Sequence, residues 1–75
     1  MDKFKLLGLI RSNKMTCSDL AKEMHMTNAT FSTKINEKHG SEFKRAEIKH
    51  IIDRFALTAD QVMDIFFYGY FVLKR

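Results

Sequence analysis

At 75 residues, 45% of them apolar, the chain can build one small core and is too short for two. Thirteen Lys and Arg against nine Asp and Glu leave a net charge of +4, which favours a polyanionic partner. A single cysteine excludes an intramolecular disulfide, and no apolar run approaches the roughly 18 residues of a membrane-spanning helix.

No signal peptide is visible, so a reducing cytoplasm is the expected compartment. With no proline and only three glycines, the composition suits an all-helical domain. Residues 3–12, KFKLLGLIRS, predict a first helix with Asp2 as its N-cap. Phe4, Leu7 and Ile10/Arg11 share one stripe, widened by Leu6. Gly8 costs about 1 kcal/mol relative to Ala. It either lets another helix pack close or is an ordinary surface glycine. Asn13 to Met15 connect onward.

Residues 16–36 read TCSDLAKEMHMTNATFSTKIN. Leu20, Ala21, Met24, Met26, Phe31 and Ile35 are spaced to lie on one side of two short helices, capped by Thr16 and Thr27. Met24-His25-Met26 leaves room only for a tight turn. Two helices so joined have helix-turn-helix geometry, whose second helix can enter a major groove. Ala21 falls where the helices must cross closely. The second helix turns Asn28, Ala29, Thr30, Ser32 and Thr33 away from the core, short and uncharged, with Lys34 the exception. No acid occurs between Glu23 and Glu37, so phosphate would not be repelled. The plainer alternative is a helical hairpin with a solvated face.

Met15, Met26, Phe43 and Leu57 each precede a cap position, and Leu20, Phe31, Ile48 and Val62 follow five residues later. These are hydrophobic staples, which fix how the chain enters a helix. Thr58 with Gln61 adds a capping box. A fourth helix is expected over 45–56, burying Ile48, Ile51, Ile52 and Phe55. A fifth, over 59–67, buries Val62, Ile65 and Phe66. Lys44 at the fourth helix's cap and Arg45 in its first turn oppose the helix dipole, and Glu47 offsets only part of this. A bound phosphate would resolve the conflict; otherwise these are solvated charges. The apolar tail after Phe66 is a short strand or a helical extension.

His25, His39, His50 and Cys17 lack finger-like spacing, so no metal site is expected. Five methionines at core spacing are fillers rather than a cofactor box. Nothing resembles a nucleophile with its base, or a Gly-rich phosphate loop. Neither an enzyme nor a cofactor is expected.

The residues 16–36, with FSTKIN continuing into EF…EIKHIIDRF…LTADQVMDIFF, resemble the Cro/repressor family of phage transcription regulators, in particular small regulators of phages from Gram-positive hosts. The likeness spans roughly 3–67. It implies an all-α, five-helix, lambda-repressor-like domain over 1–67 with a tail at 68–75. It also implies a double-stranded DNA operator as partner, inside a bacterial host cell. Two positions depart from the family: His25 stands where Gly is usual in the turn, and Cys17 where Gln usually touches the DNA backbone. On this resemblance Asn28, Ala29, Ser32 and Thr33 face base edges, and Lys14, Thr16, Cys17, Lys34, Asn36, Lys38, Lys44 and Arg45 are the backbone positions. Such proteins commonly bind as dimers, with half-sites about 34–36 Å apart. Tyr68, Tyr70, Phe71 and Val72 are then the expected two-fold interface, unless Phe67 and Phe71 instead close the monomer's own core. The alternative partner is a second repressor protein, contacted by the same helix in an antirepressor.

Overall fold

The computed structural model describes residues 1–67. Among them the chain forms five helices: α1 (Lys3–Ser12), α2 (Cys17–Glu23), α3 (Asn28–Ile35), α4 (Arg45–Phe55) and α5 (Ala59–Phe66). A 3-10 turn, Lys38–Gly40, lies between α3 and α4, and the described residues contain no strand. The all-α architecture with five helices is therefore as the sequence predicts. The interface expected at Tyr68, Tyr70, Phe71 and Val72, and the tail's conformation, lie outside the described residues.

Four of the five helices, all but α4, begin where a side-chain oxygen accepts an orphan amide. Asp2 accepts from Lys5, Thr16 from Asp19, Thr27 from Thr30 and Thr58 from Gln61, at 3.1–3.2 Å. Asp19 and Gln61 return the bond to the Thr16 and Thr58 amides at 2.9 Å, completing two capping boxes. Thr16, through its amide and then its hydroxyl, holds the Asp19 carboxyl below its ordinary value.

The helix ends follow an equally regular rule. After α1, α2 and α4 the chain takes a left-handed residue: Lys14 (φ 58), His25 (φ 57) and Ala56 (φ 49). The amides of these residues bond back to Arg11, Lys22 and Asp53, and the next residues, Met15, Met26 and Leu57, bond back to Ile10, Ala21 and Ile52. This is the Schellman closure, which satisfies carbonyls that the last turn leaves open. Met15, Met26 and Leu57 pack against the core and immediately precede the caps Thr16, Thr27 and Thr58. One apolar residue thus closes one helix and staples the next.

The core consists of Leu6, Ile10, Leu20, Ala21, Phe31, Ile35, Phe43, Ile51 and Ile65. Phe31 and Phe43 meet edge to face, ring centroids 5.5 Å apart, a favoured geometry for aromatic quadrupoles. Ala21 of α2 is fully buried, and α2 packs against α3. One expectation for α1 needs correction. Phe4 is 73% exposed; the buried stripe is Leu6 and Ile10. The stripe is turned because α1 leans on α5, where the Asp2 amide bonds to the Ile65 carbonyl at 2.6 Å. Of the two readings of Gly8, the ordinary surface glycine is the one that holds, since a Cβ there would meet nothing within 4 Å. Of the α4 set only Ile51 is fully buried, with Ile48, Ile52 and Phe55 half-buried.

A left-handed residue bearing a Cβ costs roughly 1–2 kcal/mol, partly offset by glycine's greater unfolded entropy. Ala56→Gly is therefore expected to stabilise the protein by about 0.5–1 kcal/mol, measured by urea denaturation. A destabilised variant would contradict the Schellman assignment.

Candidate nucleic-acid interface

Helix α3 is anchored from below by Phe31 and Ile35, both buried, and this anchoring decides what it shows outside. Asn28, Ala29, Thr30 and Ser32 are exposed, whereas Thr33 is half-buried. The Thr33 hydroxyl donates to the Ala29 carbonyl at 2.9 Å, so its proton is committed and only its acceptor capacity is left. Thr27 donates from its hydroxyl to that of Thr30 at 3.0 Å, which stiffens the helix's opening turn. Three of the four expected base-facing residues are therefore exposed, Ser32 with its hydroxyl 3.4 Å from Asn36 Nδ2, and Thr33 is recessed.

The expected backbone positions divide. Lys14, Lys38, Lys44 and Arg45 are exposed, on the joint before α2, the 3-10 turn and the start of α4. Thr16 is exposed but its hydroxyl is engaged in the α2 cap. Cys17 is half-buried and packs against the core. Asn36 caps α3: its Nδ2 donates to the Ser32 carbonyl at 2.9 Å and its Oδ1 accepts from Lys3 Nζ at 2.7 Å. Lys3, from the opposite end of the domain's sequence, was not foreseen beside α3; no local pattern links residues thirty-three apart.

Lys34 differs most from its expected role. Its ammonium bonds both Glu47 carboxylate oxygens at 2.8 Å, with the two side chains only 16% and 19% exposed. Burial raises the Glu47 carboxyl, but the Lys34 hydrogen bond, the Lys44 amide and the nearby positive charges outweigh it, so the net shift is downward. Glu47 also resolves the conflict at the α4 start, since its Oε1 accepts from the Lys44 amide at 2.8 Å. The first turn of α4 thus meets an internal carboxylate. A bound phosphate is not needed to reconcile Lys44 and Arg45 with the dipole.

Glu23 of α2 accepts from Arg54 Nε at 3.1 Å and lies 3.2 Å from His50 Nε2, bracing α2 against α4. Arg54 first, then His50, hold the Glu23 carboxyl below its ordinary value. Among the described residues no three His, Cys, Asp or Glu side chains converge on a metal-sized site, and no helix is long and apolar enough to cross a membrane.

Comparison with family models, curated proteins and solved structures finds no match for this chain.

Because the folded-state pKa of Glu47 lies below its ordinary value near 4.5, its ionic contribution is present above that pH and is lost as pH falls through the folded value. Glu47→Gln keeps an acceptor for the Lys44 amide and removes the charge. It is expected to lower stability at pH 7, with the gap to wild type closing as pH drops below about 4.5. Denaturation curves from pH 3 to 7 check this; a gap that does not change with pH would contradict it.

Proposed function

We propose that the protein is a sequence-specific double-stranded DNA-binding transcription regulator, of the Cro or short-repressor kind found in phages. The observation that carries this reading is the exposed face of α3, where Asn28, Ala29 and Ser32 form a short, uncharged, polar surface on a helix held rigidly from beneath. A major groove about 12 Å wide admits one helix. Asn28 can pair bidentately with adenine, Ser32 can serve as donor or acceptor, and Ala29 can touch a thymine methyl. Lys14, Lys38, Lys44 and Arg45 supply the flanking charge that grips phosphates without reading sequence. This activity is binding alone, with no catalytic step and no cofactor.

One observation favours a second reading, in which α3 contacts a partner repressor protein. Lys34 is the only cation of α3, and Glu47 holds it. The helix therefore presents no free charge of its own, as suits a protein surface as well as a groove.

Duplexes selected from a random library, followed by Asn28→Ala binding measurements, separate the readings. Under the first, the substitution costs about 1–3 kcal/mol on the selected duplex and leaves random DNA nearly unaffected. Equal losses on both remove Asn28 from base reading. A wild-type chain that enriches no sequence, yet co-purifies with a repressor, supports the second reading.

A further inference from the structure

We infer that Lys3, which lies outside the helix-turn-helix, supplies a phosphate contact at the far end of the reading helix, with Asn36 as the residue that positions it. This rests on the DNA-binding reading above.

Asn28, Ser32 and Asn36 follow one another at four-residue intervals, so they form one row along α3. Asn36 ends the row and is tied into it, its Nδ2 2.9 Å from the Ser32 carbonyl and 3.4 Å from the Ser32 hydroxyl. The Asn36 Oδ1 holds Lys3 Nζ at 2.7 Å, and the Phe4 ring lies 5.3 Å from the same ammonium. The row that begins with a candidate base-reading amide therefore ends with a fixed cation.

What distinguishes Lys3 is the chemistry of its partners. Lys34, Lys49 and Arg54 bond to Glu47, Asp53 and Glu23, so much of their charge is spent within the fold. Lys3 is held by an amide oxygen and an aromatic face, both neutral, and among the described residues no carboxylate lies within 4 Å of its ammonium. The side chain's rotamer freedom is reduced while its whole charge stays available for a phosphate. The exposure of Phe4 fits the same arrangement, since a ring beside an ammonium must stay at the surface with it.

The test is the salt dependence of binding to a selected duplex, by fluorescence anisotropy, for the full chain and three variants. Each phosphate contact contributes about −0.9 to the log–log slope. Lys3→Ala is expected to make the slope shallower by about 0.9, and Lys3→Arg to retain it. Lys49→Ala, which removes the same charge from a residue paired with Asp53, should leave the slope unchanged. A Lys3→Ala slope equal to wild type overturns the inference, as does an equal change in Lys49→Ala, which would reflect net charge alone. A helix-stabilising role would instead appear as a lower melting temperature for Lys3→Ala with its slope intact, and this too overturns it. If the wild-type chain shows no salt-dependent binding, the DNA reading itself fails. That result is seen before any variant is made.

Discussion

The angle between α2 and α3 is set by His25, Met26 and Thr27, and the candidate surface depends on that angle. His25 is left-handed and closes α2; the Met26 amide bonds to the Ala21 carbonyl at 3.0 Å; and the Thr27 hydroxyl accepts the Thr30 amide in the first turn of α3. Since Met26 also packs against the core, the joint cannot rotate without exposing apolar surface. The same left-handed, apolar, Thr sequence joins α1 to α2 and α4 to α5, as Lys14-Met15-Thr16 and Ala56-Leu57-Thr58. A chain without proline, and with no glycine at these three turns, is thus kept rigid by its own amides. Rigidity matters because a reading helix must hold its side chains to within a fraction of an ångström of the bases.

Charge is divided between holding the fold and facing outward. The Lys34–Glu47 pair joins α3 to α4, and Arg54 with His50 joins α4 to α2 through Glu23. Exposed pairs of the second kind are each worth little, about 0–1 kcal/mol. Their value here is to fix which helix faces which, since α4 contributes only Ile51 to the fully buried core. Lys14, Lys38, Lys44 and Arg45 remain exposed, and no carboxylate among the described residues lies within 4 Å of them.

Most helix starts were legible in the sequence because capping and stapling are local, linking a residue to those three to five positions on. Helix ends were harder. Only His25 could be expected to turn left-handed, from its place in a short joint; Lys14, Glu37, His39 and Ala56 do so as well, without a residue type that announces it. The burial of α1 was misread at Phe4 because a 3.6-residue period leaves the stripe's edge undecided. Packing against α5 settles it, through a contact that spans nearly the whole described chain. The exposed character of Asn28, Ala29 and Ser32 follows directly from the burial of Phe31 and Ile35. The pairing of Lys34 with Glu47, thirteen residues away, and of Lys3 with Asn36 needs the assembled fold. Sequence spacing alone gave Lys34 an outward role that its long-range partner denies it.

The central claim, that this surface engages duplex DNA, is tested most directly by titrating the wild-type chain against an operator-length labelled duplex at two salt concentrations. The account predicts saturable binding that weakens steeply as salt rises, by about −0.9 in log–log slope for each of several phosphate contacts. Absence of binding at low salt, or an affinity indifferent to salt, would contradict it.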